Sequence, residues 1–431
     1  MTDLTENSCG AGEPTFPDTG SGPLNSHDSR IFPITARGTR SGAGAGAPVL
    51  GVLQVGTVAV LIMNRSLTVV LTAAGLWSAA VSADQAARWQ IDPFLRPTGT
   101  NPVIVPNKDS LFRNPLDGKP VHWEALHTFN PAAMVRNGKI YVLYRAEDDT
   151  GEMRIGMHTS RLGLAESDDG IHFTRRPEPV LYPDNDSQTE REWPGGCEDP
   201  RIVESEDGTY VLTYTQWNRK KTDAAIATSK DLIHWTKHGP ALGTSGKYAA
   251  LSYKSAGIVT RVGNGRQMAA RIGGKYWMYW GEGVIRLASS DDLIHWKPIE
   301  NGHGEPVAVL AKREGHFDSS FPETGPPPVL TPNGIVVLYN GKNAPTGGDP
   351  ALGPNAYSAG EALFAADAPA LLIARTDQRV FKPELPFEKT GQYAAGDTFV
   401  EGLVWFRNQW FLYYGCADSM VGVAIARMQP I

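Results

Sequence analysis

The sequence predicts an all-β protein, a five-bladed β-propeller, and two repeated patterns carry this prediction. The first is an aromatic-rich strand that follows a Gly or Asn turn and recurs five times, at intervals of 60 to 74 residues. Its copies read GKIYVLY from Gly138, GTYVLTY from Gly208, GKYWMYW from Gly274, GIVVLY from Gly334 and NQWFLYY from Asn408. Because a supersecondary unit that recurs at such intervals indicates a repeat architecture, we interpret each copy as part of one blade.

The second pattern is a short strand that follows the aromatic strand and ends in a turn rich in Ser and Asp. Its copies read LAESDDGIHF from Leu164, IATSKDLIHW from Ile226 and LASSDDLIHW from Leu287, with weaker versions at Ile373 and Val421. Ser and Asp at these places are typical of turns between strands. The histidines of the three strong copies occupy matching places in different blades, so we expect them to be structural rather than metal ligands. They are His172, His234 and His295.

Composition excludes several classes of protein. The 431 residues include 46 Gly, 32 Pro, 11 Trp, 14 Tyr and 14 Phe, which fits short strands joined by turns. The net charge of −6 gives no basic surface, so no nucleic-acid partner is expected. Three cysteines are too few for a disulfide framework. The repeat lets about 330 residues form a single closed domain.

The N-terminal region has a different character from the rest of the chain. Residues 1–62 have a disordered composition or are an upstream extension of a misassigned start. Residues 63–83 read as a secretory signal peptide: a basic start at Met63-Asn-Arg, an apolar run and a small-residue end. We therefore expect a catalytic domain at 84–431 that is periplasmic or secreted, without membrane contact after cleavage. A membrane anchor is the alternative, because residues 47–63 are also apolar.

Polar residues stand at equivalent places in the five repeats. One set precedes or begins the short strand upstream of each aromatic strand: Asn130, Glu198 with Asp199, Lys254, Glu323, and Asp397 with Glu401. A second set lies at the ends of the aromatic strands: Arg145, Gln216, Glu282, Asn340 and Asp418. Because the innermost strands of a propeller surround one axis, we expect these side chains to meet in a single pocket.

The chemistry of this pocket is acidic and aromatic, which favours a carbohydrate site. Paired carboxylates are what glycoside cleavage needs, one to protonate the leaving oxygen and one to activate water or attack carbon. No Gly-x-Ser-x-Gly segment indicates a serine nucleophile, and no clustered ligand motif indicates a metal or other cofactor. In the segment GGCEDPRI, Pro200 should hold Asp199 in an extended conformation, and Arg201 could orient a carboxylate. The alternative is a purely structural Asp–Arg pair.

Several motifs resemble glycoside hydrolase family 130, from about residue 95 to the C-terminus. They are Asn130-Pro-Ala, Tyr144-Arg-Ala-Glu-Asp148, Glu198-Asp-Pro-Arg201, Gly325-Pro-Pro-Pro-Val-Leu-Thr331, Tyr339-Asn-Gly341 and Tyr414-Gly-Cys-Ala-Asp418. The resemblance implies a five-bladed propeller that acts on β-mannosides with inversion, by phosphorolysis or by hydrolysis. It also implies that Asp199 is the general acid, passing its proton through the 3-hydroxyl of the mannose.

Two glutamates favour hydrolysis over phosphorolysis. Where phosphorylases of the family carry basic residues, this chain has Trp280-Gly-Glu282, and an acid also stands in Phe321-Pro-Glu323. A phosphate dianion needs cationic donors at the point of attack, whereas carboxylates repel it and can activate water. This pattern resembles the hydrolytic branch, which acts on β-1,2-linked mannosides. Lys254 keeps phosphorolysis open, because it could serve phosphate.

The sequence therefore predicts an inverting, exo-acting β-mannosidase for β-1,2 linkages in mannose-containing oligosaccharides. Asp199 is the predicted acid, and Glu282 and Glu323 are the predicted base or water-positioning pair. The predicted substrate-binding residues are Asn130, Arg145, Asp148, Glu198, Arg201, Gln216, Lys254, Asn340, Asp397, Glu401 and Asp418. The alternatives are a β-mannoside phosphorylase that releases mannose 1-phosphate and, more distantly, a non-catalytic carbohydrate-binding propeller.

Overall fold

The computed structural model describes residues 89–263 and 265–427, which consist almost entirely of short strands. The extension 1–62 and the signal peptide 63–83 of the sequence analysis lie outside the described residues. In the described part of the chain, no helix has the length and apolar character needed to cross a membrane. The strands follow one another in five antiparallel units, and the protein is a five-bladed β-propeller, as predicted.

The first two blades are regular four-stranded meanders. They follow a small hairpin of β1 (Phe112–Arg113) and β2 (Pro120–Val121). Blade 1 contains β3 (His127–Arg136), β4 (Lys139–Glu147), β5 (Ser160–Ser167) and β6 (Thr174–Arg175). After the one-turn helix α1 (Thr189–Glu192), blade 2 contains β7 (Gly196–Glu204), β8 (Tyr210–Trp217), β9 (Thr222–Ser229) and β10 (Thr236–Pro240).

The last three blades keep the same plan with more interruptions. A 3-10 turn (Lys247–Ala250) precedes blade 3, which contains β11 (Ala256–Ile258), β12 (Thr260–Gly263), β13 (Arg266–Ala269), β14 (Arg271–Ile272), β15 (Lys275–Trp280), β16 (Ile285–Ser290), β17 (Lys297–Pro298) and β18 (Ala308–Leu310). Blade 4 contains β19 (Phe321–Thr324), β20 (Val329–Thr331), β21 (Gly334–Lys342), β22 (Tyr357–Phe364) and β23 (Leu372–Arg375). A second 3-10 turn (Pro386–Glu388) precedes blade 5, which contains β24 (Thr398–Phe406), β25 (Gln409–Cys416) and β26 (Met420–Ala426).

The repeated aromatic strands are β4, β8, β15, β21 and β25, the middle strands of the blades. Their side chains are buried on both faces, because neighbouring blades cover both sides of each blade. Five hydrophobic clusters fill the five contacts between successive blades. The cluster between blades 5 and 1 joins Val142 to Phe411 and Val423, which closes the ring. This double burial explains why large apolar residues recur in these strands.

The N-terminal segment of the described chain adds a strand-like edge to blade 5. Leu95 pairs with Ile425 and Ile104 pairs with Val421, both antiparallel. Between these pairs, the side-chain amide of Asn101 exchanges two hydrogen bonds of 2.8 Å with the backbone of Val423. Blade 5 has three named strands, and the segment therefore covers the edge that the missing fourth strand would leave open.

The Ser-Asp turns behave as the sequence indicates. In blade 2, Ser229 Oγ accepts the backbone N–H of Leu232 at 2.9 Å, and Asp231 accepts those of residues 233 and 234 at 2.8 Å. The His234 ring lies 2.7 Å from the same Asp231 and is exposed. The equivalent histidines of blades 1 and 3 have the same partner three residues earlier, at 2.7 and 2.8 Å. These histidines therefore belong to the turns of separate blades.

Candidate active site

The innermost strands β3, β7 and β24 each contain a β-bulge at a site residue. Asn130 and Asp199 occupy two of these bulges with positive φ angles of 44° and 45°. The expectation that Pro200 holds Asp199 in an extended conformation is therefore wrong, because the bulge places Asp199 in the left-handed region. A left-handed conformation costs a non-glycine residue about 1–2 kcal/mol. Such strain in a folded protein is concentrated at functional sites.

Asp199 is buried and surrounded by donors. Asn130 Nδ2 donates to Asp199 Oδ1 at 2.9 Å, and Arg145 Nη1 donates to the same oxygen at 3.1 Å. Lys254 Nζ lies 3.9 Å from the other oxygen. Burial raises the pKa of Asp199, but the charges of Arg145 and Lys254 and the bond from Asn130 outweigh it and lower the pKa to about 2. Asp199 is thus a carboxylate in the unliganded protein.

Arg145 links Asp199 to two further acids. Its Nη2 atom lies 2.6 Å from Glu147 Oε1 and 2.9 Å from Glu198 Oε1. Burial raises the pKa of Glu198 to about 7, because the attraction of Arg145 is offset by the negative charges of Asp199 and Glu147. Burial therefore favours the protonated form of Glu198, whereas the surroundings of Asp199 favour its carboxylate form.

Lys254 lies on the other side of Asp199, between two more glutamates. Its Nζ atom is 3.6 Å from Glu282 Oε1 and 3.4 Å from Glu323 Oε1. Burial lowers the pKa of Lys254, but the charges of Glu282, Glu323 and Asp199 raise it well above its usual value. The one lysine that could serve phosphate therefore has three carboxylates around it.

The two glutamates differ in their surroundings. Glu282 is at the rim, with 41% of its side chain exposed, whereas the Glu323 side chain is fully buried. Ser255 donates a short hydrogen bond to Glu323 Oε1, and no described residue is a hydrogen-bond partner of Oε2. Burial raises the pKa of Glu323 to about 7, with Glu282 adding to the shift and Lys254 and Ser255 opposing it.

Arg201 fixes the blade-4 and blade-5 side of the pocket. Its guanidinium donates to the backbone oxygens of residues 325 and 324 at 3.1 and 2.7 Å. Its Nη1 lies 2.7 Å from Glu401 Oε1, but no N–H of the described residues points at either Glu401 oxygen with hydrogen-bond geometry. Burial raises the pKa of Glu401 well above its usual value despite Arg201. Glu401 Oε2 therefore has no donor among the described residues, while Oε1 is paired with Arg201.

Asp397 and Asp418 form a second coupled acid pair on blade 5. Burial and the charge of Asp418 raise the pKa of Asp397 well above its usual value. Burial raises the pKa of Asp418 to about 6, although Arg145 opposes it. Burial of two adjoining carboxyl groups favours retention of a proton by the pair, so this wall carries less negative charge than its residues indicate.

Three aromatic residues of blades 4 and 5, Tyr357, Tyr393 and Phe399, form an aromatic wall. The Tyr357 ring lies 5.5 Å from the Tyr393 ring and 5.8 Å from the Phe399 ring, and Lys342 Nζ is 5.6 Å from the Tyr357 centroid. Burial raises the pKa of the Tyr357 phenol well above its usual value, and the charges of Glu323 and Glu282 add to it. Tyr357 therefore lies beside the acids, where an aromatic face can pack on a sugar ring.

Comparison with known proteins gives the family of this chain. The model of glycoside hydrolase family 130, described as β-1,4-mannooligosaccharide phosphorylase, matches residues 95–431. The chain belongs to glycoside hydrolase family 130. The resemblance in its motifs is thus confirmed, and the match covers all five blades.

The relatives of this family 130 protein include phosphorylases and hydrolases. A 1,2-β-oligomannan phosphorylase from Thermoanaerobacter sp. (strain X514) is 32% identical over 344 residues, covering 78% of this chain and 98% of the relative. The solved structure of a putative glycoside hydrolase from Parabacteroides distasonis is 53% identical, covers 79% of this chain and 98% of that chain, and has a TM-score of 0.78.

A further solved structure of family 130 carries an explicit statement of activity. It is described with the words "The GH130 family of mannoside phosphorylases contains glycoside hydrolases that target beta-1,2 mannosidic linkages in Candida mannan". Its sequence is 51% identical, and the match covers 80% of this chain and 98% of that chain with a TM-score of 0.78.

Two of the predicted substrate-binding residues of this family 130 protein, Gln216 and Asn340, have side-chain amides that contact other parts of the fold. Gln216 is buried, and its amide donates to Glu192 at 3.0 Å on the far side of blade 2. The Asn340 amide exchanges hydrogen bonds of 3.1 and 2.8 Å with the backbone of Val400, joining blade 4 to blade 5. Both amides are thus used in contacts within the fold, and substrate binding by these two residues stays a prediction.

Asp148 contacts Arg161 and not the acids around Asp199, and its role in substrate binding stays a prediction. It is one residue beyond Glu147, and because side chains alternate along an extended chain, the two point in opposite directions. Glu147 contacts Arg145, whereas Asp148 forms a buried ion pair of 2.7 Å with Arg161. The family 130 motif therefore contributes Glu147 to the site. Because side chains alternate along a strand, Glu147 lies on the same face as Arg145, and this spacing could have indicated Glu147 in the sequence.

Other members of the site were missed for a different reason. Ser255 and Tyr357 have no distinctive local motif, and Ser160, which donates to Glu198 at 3.2 Å, begins a strand in another part of blade 1. Only the folded ring brings them to the predicted acids. The remaining predicted residues do converge: Asn130, Arg145, Glu198, Asp199, Arg201, Lys254, Glu282, Glu323, Asp397, Glu401 and Asp418.

Proposed function

We propose that this family 130 enzyme hydrolyses β-1,2-mannosidic linkages, releasing terminal mannose with inversion. The observation that carries the proposal is the charge around Lys254, whose ammonium has Glu282, Glu323 and Asp199 within 3.9 Å. A phosphate dianion requires surplus positive charge where the nucleophile attacks. Here three acidic side chains lie within 3.9 Å of the Lys254 ammonium, so its positive charge is already compensated.

Proton donation is assigned to Asp199. In the unliganded protein it is ionised, so it must take up a proton when the substrate binds. Glu198 is the adjacent group that retains a proton near neutral pH. We propose that Asp199 then passes a proton to the 3-hydroxyl of the mannose, while that hydroxyl passes its own proton to the glycosidic oxygen. The leaving sugar departs as a neutral alcohol, and the charge at the glycosidic oxygen is never developed in full.

Water activation is assigned to the opposite carboxylates. A water held by Glu323 and Glu282 gives one proton to a carboxylate as its oxygen bonds to the anomeric carbon, and the bond from that carbon to the glycosidic oxygen breaks. Attack on the face opposite the leaving group inverts the anomeric centre. Asn130 Oδ1 and Glu401 have acceptor atoms without donors among the described side chains, so they can bind the hydroxyls of the mannose.

The proposed β-1,2 linkage is supported by the relatives, and the proposed exo action is supported by the propeller architecture. The 51%-identical structure is described in terms of hydrolases that target β-1,2 mannosidic linkages, and the Thermoanaerobacter relative is named for a β-1,2-linked oligomannan. The acids lie on or next to the innermost strands around the propeller axis, and a site enclosed in this way would accept the end of an oligosaccharide. We therefore propose exo action on mannose-containing oligosaccharides.

Phosphorolysis is the second candidate, because curated relatives are named phosphorylases and Lys254 supplies one cation. The deciding experiment incubates β-1,2-mannobiose with the enzyme, with and without phosphate, and follows the products by NMR. We expect phosphate-independent release of mannose, initially as the α-anomer. Mannose 1-phosphate and a requirement for phosphate would establish phosphorolysis. If neither mannose nor mannose 1-phosphate is released from any β-mannoside tested, a carbohydrate-binding role would be favoured.

We also propose that the enzyme is exported, with a signal peptide at 63–83 and Met63 as the true start. The support is the order of basic, apolar and small residues in that segment. N-terminal sequencing of the native protein tests this. A mature N-terminus near residue 84 is expected, and one before residue 63 would contradict the assignment.

A further inference from the structure

Ser255 repeats, in blade 3, the backbone conformation of two predicted site residues, Asn130 and Asp199. Its φ angle is 57°, close to the 44° of Asn130 and the 45° of Asp199. Asn130 and Asp199 lie within the first half of the innermost strands β3 and β7, and Ser255 directly precedes β11 of blade 3. Ser255 is also buried, with 2% of its surface exposed. The fold therefore uses the same left-handed position three times around the axis.

The side chains at these positions have matching contacts. Asn130 donates to an oxygen of Asp199, and Ser255 donates to an oxygen of Glu323, in each case across the boundary between blades. Glu323 is fully buried, and its second oxygen, Oε2, has no hydrogen-bond partner among the described residues. The hydroxyl of Ser255 thus fixes one oxygen of the carboxylate and leaves the other free.

We propose that Ser255 is a positioning residue for hydrolysis: it holds Glu323 so that Oε2 accepts the proton of the attacking water. This inference rests on the proposed hydrolytic function and deepens it, because it selects Glu323 over Glu282 as the base. Glu282 is unsuitable for that role, since 41% of its side chain is exposed and it is held by an ion pair of 3.6 Å with Lys254. A base must be held at a defined distance from its water.

The positive φ angle of Ser255 allows the role of its hydroxyl in activity to be tested separately from its effect on stability. A non-glycine residue is strained at positive φ, and glycine is not. Ser255→Gly therefore removes the hydroxyl and relieves strain, whereas Ser255→Ala removes the hydroxyl and keeps the strain. A structural role predicts that the glycine variant behaves better than the alanine variant. A positioning role predicts that both lose activity equally.

The experiment measures kcat and KM of wild-type enzyme, Ser255→Gly and Ser255→Ala on β-1,2-mannobiose between pH 5 and pH 9. A hydrogen bond to the ionised carboxylate favours the charged form, so its loss raises the pH at which the base ionises. We expect the acidic limb of kcat to move up by about one pH unit and kcat at pH 6 to fall about tenfold. KM should stay within about twofold, because Ser255 reaches the carboxylate and not the sugar.

A matched control comes from the same blade. Thr260 donates from Oγ1 to the backbone oxygen of Pro328 at 2.9 Å and is fully buried, but its partner is not a site residue. Thr260→Val should lower the melting temperature and leave the acidic limb where it is in the wild type. The alanine and glycine variants of Ser255 should both move the limb, whichever way their melting temperatures change.

The inference is overturned if the acidic limb of both Ser255 variants coincides with that of the wild type, or if activity follows the melting temperature across the variants. Failure of the proposed function is detected separately, in the wild type. Mannose 1-phosphate as the product would reject hydrolysis before any variant is compared. Hydrolysis by the wild type with unchanged limbs in the Ser255 variants would reject the positioning role alone.

Discussion

The side-chain amide of Asn130 donates a 2.9 Å hydrogen bond to Oδ1 of Asp199, and both residues have a left-handed backbone in a bulge of an innermost strand. The bond crosses from blade 1 to blade 2, so the orientation of the Asp199 carboxylate depends on how these two blades pack. Arg145 donates to the same oxygen, which leaves Oδ2 of Asp199 facing Lys254 and the pocket.

Asp199→Asn should lower kcat by about 10²- to 10⁴-fold on β-1,2-mannobiose, because an amide cannot supply the proton that the leaving oxygen requires. The substitution is nearly isosteric, so the melting temperature should change little. Steady-state kinetics and thermal unfolding check both statements. Near-normal turnover by a folded variant would remove Asp199 from the mechanism.

Glu323→Gln should be far more damaging than Glu282→Gln. Glu323 is buried and held by Ser255, whereas Glu282 is at the rim. We expect kcat to fall at least 10²-fold for Glu323→Gln, and about tenfold or less for Glu282→Gln. Kinetic constants of the two variants at pH 8 decide between them. The reverse order would assign the base to Glu282.

The fold could be predicted from the sequence because the requirement that produces it is repeated within each blade. Every blade needs a middle strand that is buried on both faces, and this requirement repeats the aromatic pattern of β4, β8, β15, β21 and β25. The same regularity indicates where each innermost strand begins. Most predicted site residues converge because a propeller brings these strand starts to one axis.

The details of the site could not be read in this way. Asp199 is left-handed because of a bulge, although the following proline predicts an extended residue. Asn340 stands in a family motif but hydrogen-bonds Val400, a contact that depends on the packing of blade 5 against blade 4. Tyr357 begins β22, and only the closed arrangement of the five blades places it beside the acids of blades 3 and 4.

The pH dependence of kcat/KM should show an acidic limb near pH 7. Burial raises the pKa of Glu323 to about 7, and a base must be ionised, so activity should fall about tenfold per pH unit below that value. Lys254 lowers this pKa, and Lys254→Met should therefore move the limb to higher pH. Lys342→Met is the control, because Lys342 contacts aromatic rings. An unchanged limb in Lys254→Met would contradict the assignment.

Thermal stability of the unliganded enzyme should decrease from about pH 5 to pH 8. The pKa values of Glu198 and Glu323, about 7 when folded, lie above the usual value of ~4.3 in an unfolded chain. Their contribution is therefore complete below about pH 4 and is lost as the pH rises through 7. Asp199 acts in the opposite sense, since its pKa is lowered to about 2, and its contribution is lost only in acid.

Melting temperatures across this range, measured without ligand, check the expected slope. Glu323→Gln should make the slope shallower, because the variant has no carboxyl group to ionise. Glu152→Gln, at a side chain that is 67% exposed, should leave the slope as in the wild type. A melting temperature that rises steadily from pH 5 to pH 8 would show that the pKa values of Glu198 and Glu323 are not raised in the folded protein.

Tyr357 offers a test of the aromatic wall. Its ring packs edge-on against Tyr393 and Phe399 and lies beside the acids, so we expect its face to contact the sugar at the site of cleavage. Tyr357→Ala should raise KM about tenfold, since an aromatic contact is worth about 0.5–1.5 kcal/mol and 1.4 kcal/mol is a factor of ten. Tyr357→Phe keeps the ring and should stay within about twofold of the wild-type KM. If the phenylalanine variant is as weak as the alanine variant, the hydroxyl and not the ring face is what the substrate requires, and the wall acts as a hydrogen-bond donor to the sugar.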